Sequence, residues 1–386
     1  MKVRLKHVDS DDSKLFYNAR SLEITPGSKA IKTPIRALSN GDLRAKAQVP
    51  SDITLSSPIA GFHRQLSSPE VTKFLTENAF PSSFIDELEN ASQKMQHSDI
   101  ILPCLQPAHT AINDVLTSYD KKIEFLRKIY RIQQEAKMKI FCIPWLDFTP
   151  DQYKKVVDNL SKDNEDEMVF YINSAVDPDP LRRTINCLTP LIETEKIHFL
   201  GILYNPVRDA LNSYDALWEI LSEQKVAILL ADIERANMQL KNLSASHVNE
   251  FILGDIFLPK VYARAKPNRG KVDLFTKFKV FNKNNLTVDC IGNYNGESWK
   301  DMMSEDIVDP AIQYKIDHYL EAKDDPDRLS ILKYISKVHE FTVSSKEFNK
   351  SRDFITREES DVYLEEKPVL KSVLRSEKGI QKKLIK

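Results

Sequence analysis

Two hydrophobic rhythms alternate along this chain. Short runs that are almost wholly apolar, and rich in β-branched or aromatic residues, occupy 99–105, 138–145, 168–173, 197–204, 225–233 and 251–259. A run at 35–38 precedes them and one at 286–291 follows. Between the runs lie 121–135, 151–160, 181–194 and 209–223, where apolar residues recur every three or four positions, as on one face of a helix. A strand apolar on both faces must be covered on both faces, the condition of a parallel sheet wrapped by helices. Roughly eight such strand–helix units fit the length, so the pattern predicts an α/β fold of (β/α)8 TIM type rather than an open doubly wound sheet.

The two ends of the chain break this rhythm. Residues 19–25 and 30–38 read as extended segments joined at Pro26-Gly27. Proline presets φ at the first turn position, and glycine supplies the positive φ that a type II turn needs next. From Val343 onward charge runs dominate, ending in Lys371, Arg375, Lys378, Lys382, Lys383 and Lys386. The expected division is therefore an N-terminal β segment over 1–34 capping the barrel, a barrel over 35–342, and a charged helical extension over 343–386. That extension reads first as a solvated helix and frayed tail, with a basic arm for phosphates as the functional alternative.

Composition narrows the function classes. The 386 residues carry 55 basic and 56 acidic side chains for a formal net charge of -1, so any nucleic-acid contact must come from a local patch. Only 9 glycines are present, which argues against a glycine-rich phosphate cradle. The first residues are charged and lack the apolar core of a secretion signal, and the apolar runs are too short to cross a bilayer. The expectation is a cytoplasmic protein with no membrane partner. The four cysteines, Cys104, Cys142, Cys187 and Cys290, are widely spaced and form no Cys-x-x-Cys pair, so no metal site and no cofactor are expected.

In a barrel, reacting groups stand at the carboxyl ends of strands. The predicted strand ends supply Ser39, Asn40, Asp147, Asn173, Ser174, Tyr204, Asn205, Asp232, Glu234 and Asp255. Acids dominate, and no His-rich pattern or serine nucleophile signature accompanies them. Carboxylates without metal ligands suit chemistry at the anomeric carbon of a sugar, one attacking and another handling protons. The same cluster equally suits magnesium binding or structural ion pairs.

The order of the small signatures resembles the tRNA-guanine transglycosylase family. Ala19-Arg20, Thr25-Pro26-Gly27 and Ile31-Lys32-Thr33-Pro34 are similar to that family's N-terminal lead into its first barrel strand. Leu200-Gly201-Ile202-Leu203 resembles its Gly-Gly-Leu strand. Leu253-Gly254-Asp255-Ile256-Phe257 resembles the start of its Gly-Ile-Asp-Met-Phe-Asp motif, with Leu258-Pro259-Lys260 standing near its Leu-Pro-Thr-Arg. The similarity is colinear from about residue 16 to about 270, with no motif intact. Family members exchange guanine in a nucleic acid for a 7-deazaguanine base through a covalent link from an aspartate to the ribose.

The resemblance (for Asp255, Gly201 and Leu203) and the strand-end positions (for the rest) together assign roles residue by residue. Asp255 is the implied nucleophile, with Asp232 or Asp147 as a second acid or base. Gly201 and Leu203 offer backbone groups to the base, and Asn40, Asn205 and Glu234 complete the substrate site. The departures are equally specific. In a gapless match the family nucleophile falls on Leu258, so either a shifted loop makes Asp255 the nucleophile or the covalent step is lost. The Asp-Ser-Gly-Gly-Phe-Gln segment and the zinc site of the tRNA enzymes are absent. Arg264, Lys266, Arg269 and Lys271 follow the strand instead, a set that grips phosphates without reading bases. DNA is thus favoured over tRNA as the polymer, in line with a similarity to the DNA-modifying branch. Two alternatives stand beside this: a non-catalytic, transglycosylase-like accessory subunit that binds RNA or a partner, and a magnesium-dependent barrel enzyme. A homodimer or partner subunit is compatible with each.

Overall fold

The computed structural model describes residues 1–49, 54–77, 82–161, 166–236, 240–260, 279–290 and 326–385. A three-stranded antiparallel sheet comes first, made of β1 (Lys2–Asp11), β2 (Tyr17–Thr25) and β3 (Ile31–Lys32). Its second turn has Gly27 at φ 73°, the left-handed value that the Pro-Gly pair predicts.

The sheet that follows is parallel throughout. Its strands are β4 (Ile35–Arg36), β5 (Leu38–Ser39), β6 (Ile59–Leu66), β7 (Ile100–Pro107), β8 (Ile140–Ile143), β9 (Glu167–Asn173), β10 (Phe199–Leu203), β11 (Ala227–Ile233) and β12 (Ile256–Pro259). Ladders run β4-β12-β11-β10-β9-β8 and β5-β6-β7. Only Ala37 separates β4 from β5, so these two act as one strand, and the two ladders join there. The order is that of a TIM-like α/β fold. Between β7 and β8 side chains replace the ladder: Gln106 Nε2 donates to the Trp145 carbonyl at 2.7 Å, and the Trp145 N–H donates to Gln106 Oε1 at 3.1 Å.

One strand of this set does not follow the predicted pattern. Ile59–Leu66 contains Gly61, His63, Arg64 and Gln65, so it is not an apolar run. The predicted run at 286–291 instead supplies β14 (Thr287–Cys290), which pairs antiparallel with β13 (Lys279–Asn282) outside the parallel sheet.

The interior is set by side-chain parity, since residues two apart on a strand share a face. Gly61 faces inward, where a Cβ would lie 3.0 Å from the Leu258 methyls. Gly201 also faces inward, beneath the ring of Tyr171, which a Cβ would meet at 2.4 Å. Both glycines exist to admit a larger neighbour. The Tyr171 hydroxyl then donates to the Pro103 carbonyl at 2.8 Å, and Cys104 and Cys142 fill the space beside it.

The helices of this layer form for local reasons and cover the outer face. In α5 (Tyr119–Glu135), Ser118 caps the first turn, and Phe125, Leu126, Ile129 and Ile132 make one buried stripe. In α1 (Asn40–Gln48), Ser39 and Asp42 form a capping box, and the buried Arg36 fork holds Asp42 at 2.9 and 3.1 Å. Further helices are α3 (Ser82–Lys94), α6 (Pro150–Ser161), α7 (Pro178–Glu193), α8 (Val207–Leu221) and the short Ala245–Asn249.

A helix of 31 residues, Pro326–Thr356, then packs against α1, β1, β2, β4 and β13. The expected boundary at 342/343 falls inside this helix, with Val343 and Phe348 buried. Helices Ser360–Glu365 and Pro368–Ile385 follow. Part of the expected basic arm is built into the fold: buried Lys367 holds Glu347 at 2.8 Å, Lys371 pairs with Glu365, and Arg375 donates to the Lys14 carbonyl at 3.1 Å.

Candidate functional site

Asp255 and Asp232 lie at opposite ends of the parallel sheet. Asp255 immediately precedes β12 and is therefore at the amino ends of the strands. It is 0% exposed. Its carboxylate receives Arg20 Nη2 at 2.6 Å, Arg20 Nε at 3.1 Å and the Ile228 N–H at 2.7 Å. The same guanidinium donates to the carbonyls of Leu221 and Val226. Arg20 thus plugs the amino end from β2, and every carboxylate oxygen is occupied. The nucleophile role expected for Asp255 does not fit this placement, because a sealed and paired carboxylate has no path to a sugar. Leu258, the gapless match to the family nucleophile, is buried against Gly61.

Asp232 stands at the carboxyl end of β11. The pairing of β11 with β12 slips between Ala231 and Ile233, and Asp232 takes φ 61° in that bulge. A bulge re-aims one side chain, and a non-glycine residue in the left-handed region marks a conformation that the surroundings enforce. Oδ1 lies 3.4 Å from His63 Nδ1, and Oδ2 lies 3.7 Å from Lys260 Nζ. Oδ1 is buried yet accepts no hydrogen bond from any of the described residues. The side chain as a whole is 26% exposed, so the carboxylate is reachable from one side.

His63 comes from β6, two residues beyond Gly61, and so points to the same interior. Its side chain is 10% exposed. Burial, reinforced by the charges of Lys260 and Arg64 and opposed by Asp232, holds the ring below the usual histidine range. The imidazole is neutral at pH 7 and able to accept a proton. Burial pushes Cys142 up to about 12 and Cys104 well above the thiol range, so neither is a nucleophile.

The other predicted residues fall in three places. Asn205 Nδ2 donates to Asn173 Oδ1 and Ser174 Oγ, both at 3.0 Å, while the Leu203 carbonyl accepts from Ser174 Oγ at 2.9 Å. That network braces the ends of β9 and β10, and it already occupies the Leu203 carbonyl expected to meet a base. Gly201 is covered by Tyr171 and offers nothing to a ligand. Glu234 is half-buried just past Asp232, and its neighbour Arg235 pairs with Glu340 of the long helix.

Asp147 takes φ 52° at the edge of a cavity of about 360 Å³ walled by Trp145, Phe148 and Tyr153 and reaching Asn173. Thr149 and Gln152, not Asp147, exchange the capping hydrogen bonds of α6. The buried Tyr153 hydroxyl on this cavity has no hydrogen-bond partner among the described residues. Asn40 lies in a second hollow, beside His63. Arg264, Lys266, Arg269 and Lys271 lie outside the described residues.

Sequence reasoning missed His63 and Lys260. His63 was hidden because its strand is not apolar, and Lys260 because it follows Pro259 as an isolated charge. The three carboxylates Asp147, Asp232 and Asp255 do not converge. Among the described residues no group of three or more His, Cys, Asp or Glu side chains is placed to hold a metal ion.

No family model matches the chain, and no curated protein matches it. Among solved structures, a family 39 glycoside hydrolase from the gut symbiont Bacteroides cellulosilyticus WH2 is similar at 9% identity. The match covers 70% of this chain and 72% of that one, with a TM-score of 0.35.

Proposed function

We propose that this chain is a closed (β/α)8 enzyme that exchanges guanine in a nucleic acid for a 7-deazaguanine base, with Asp232 as the reacting carboxylate. The observation that carries this reading is the bulge that lifts Asp232 to the strand ends, one oxygen buried and unbonded beside a neutral His63. The colinear resemblance from residue 16 to 270 supplies the reaction class. The target nucleotide would be flipped out to reach such a recessed carboxylate. Asp232 attacks C1′ as the C1′–N9 bond breaks, and the departing guanine takes the bond's electron pair and a proton from water. The incoming base then attacks C1′ through N9, passes its N9 proton through His63 to the hydroxide left by the first step, and expels Asp232 with the electron pair of its C1′–O bond. Lys260 holds the carboxylate's second oxygen in place.

The test is a denaturing gel of the protein with a guanine-containing DNA or tRNA oligonucleotide and a 7-deazaguanine base, together with release of labelled guanine. A shifted band that Asp232→Asn abolishes, with exchange into DNA ahead of tRNA, supports the reading. Absence of both the band and exchange overturns it.

A second reading has its own observation. Leu258 fills the position of the family nucleophile and Asp255 is sealed by Arg20, as a non-catalytic accessory subunit would allow. Exchange by the purified protein alone excludes that reading.

A further inference from the structure

The strand that carries His63 is loosely tied to the rest of the parallel sheet. β6 and β7 pair along their whole length, Ile59–Leu66 against Ile100–Pro107. On its other edge β6 meets β5 only at Leu38↔Ala60 and Ser39↔Gly61. On the far edge of β7, no backbone hydrogen bond reaches β8 among the described residues. The β6–β7 ribbon is thus joined to the other strands by one two-residue ladder and one seam of side chains. Asp232, in β11, and Lys260, just past β12, lie beyond both junctions.

Both edges of the seam are blocked against forming a ladder. The Ile100 N–H donates to the Pro58 carbonyl at 3.1 Å and the Ala108 N–H to the Leu66 carbonyl at 2.7 Å, so the even-numbered amides of β7 point to β6. Positions 103, 105 and 107 therefore point to β8, and Pro103 and Pro107 have no N–H to give. The Leu105 N–H goes to the Cys142 thiol at 3.2 Å. On the β8 side, the Cys142 N–H donates to Gln133 Oε1 at 2.7 Å, and its carbonyl accepts from Gln133 Nε2 at 3.0 Å. A side chain of α5 thereby holds the backbone groups of that edge. What crosses the seam is the Tyr171 hydroxyl on the Pro103 carbonyl, the Cys142 thiol on Leu105, and the two bonds from the Gln106 amide to the Trp145 backbone. Of these, the Gln106 bonds are nearest the carboxyl ends. Register sets Cys104 beside His63 and Gln106 one inward-facing position further on.

We propose that Gln106 is a positioning residue: the β6–β7 ribbon slides as a unit against β8, and the Gln106 latch on Trp145 sets where His63 stands relative to Asp232. Helix Ser68–Thr76 and α3, which follow β6 in the chain, pack on α5 and confine the movement to a short slide. The slide deepens the base-exchange reading and rests on it only for what His63 does once in place.

Amide hydrogen exchange and NMR of the histidine rings, both on the full chain, test it. In the wild type the Leu105 and Cys142 amides should exchange by local opening, about tenfold or more faster than the Gly201 and Leu229 amides inside the β9–β10–β11 ladders. Gln106→Leu should speed Leu105 and Cys142, which it does not touch, by a further factor on the order of ten, the worth of two hydrogen bonds. It should leave Gly201 and Leu229 unchanged. The same variant should shift the His63 ring resonances at pH 7 and leave those of buried His247 in place, a pattern that general destabilisation does not produce. Tyr171→Phe, which removes only the crossing bond to Pro103, should speed Leu105 in the same way and serves where Gln106→Leu does not fold. Seam amides as slow as Gly201 and Leu229 in the wild type overturn the proposal, as do His63 resonances unmoved by Gln106→Leu. None of these readouts measures activity, so the slide and the base-exchange reading fail separately.

Discussion

At the scale of single residues, the two aspartates show why exposure and pairing separate a structural carboxylate from a reactive one. Asp255 is one half of a buried, bidentate pair with Arg20, and removing one partner of such a pair strands the other. Asp255→Asn should therefore cost about 3–5 kcal/mol in urea unfolding while leaving the Asp232 site untouched in any surviving folded protein. Asp232→Asn should do the reverse, abolishing exchange with a change in stability within about 1 kcal/mol. A loss of activity in Asp255→Asn at unchanged stability would reverse the two assignments. The depressed pKa of His63 sets the pH dependence. A base that must be neutral works above its pKa, so kcat/KM should fall with acid only below the ordinary histidine value of 6.5. His63→Gln should remove that limb along with most of the rate, which a pH–rate profile reads directly.

At the scale of elements, Ile59–Leu66 shows where pattern reading stops. The other strands of the parallel sheet are apolar because helices cover one side and packed side chains the other. Ile59–Leu66 carries the polar end of a site, so the consecutive His63, Arg64 and Gln65 cut its apolar run short and leave no buried-run signal. Helices α5 to α8 were legible because a stripe such as Phe125, Leu126, Ile129 and Ile132 has only one structural reading. The strand-end rule found Asp232 but could not place Asp255 at the opposite end. A residue one position before a strand and one at its close look alike until the strand's first residue is known.

The long helix Pro326–Thr356 buries a second polar cluster. Its Phe348 stacks on His247 at 4.2 Å and on Phe257 at 5.1 Å. His247 lies 3.4 Å from Glu250, both fully buried. Burial pushes His247 down to about 3 and Glu250 well above the carboxylate range. For Glu250 the folded pKa exceeds the unfolded one, so the stability it adds is complete at low pH and is lost as pH rises through the folded value. Urea midpoints should fall for the wild type as pH rises above the ordinary glutamate value of 4.5, and Glu250→Gln should flatten that fall. A wild-type midpoint independent of pH would remove this account.

At the scale of the molecule, the ends of the sequence are joined to its centre. Deleting 343–386 would remove Phe348 and so uncover His247 and Phe257, on which it stacks. The deletion should abolish cooperative thermal unfolding in calorimetry, whereas a dispensable basic arm would leave the transition intact.

The seal made by Arg20 also fixes a timetable for biosynthesis. Its partner Asp255 lies 235 residues further along the chain. At synthesis rates of about 5–20 residues per second, the first sheet waits roughly 10–50 s before that partner exists. During this interval Arg20 and the edge of β4 have nothing to pair with, and the nascent chain must be kept from other strands. The floor of the protein therefore closes only once about two-thirds of the chain has been made, long after its first sheet is complete.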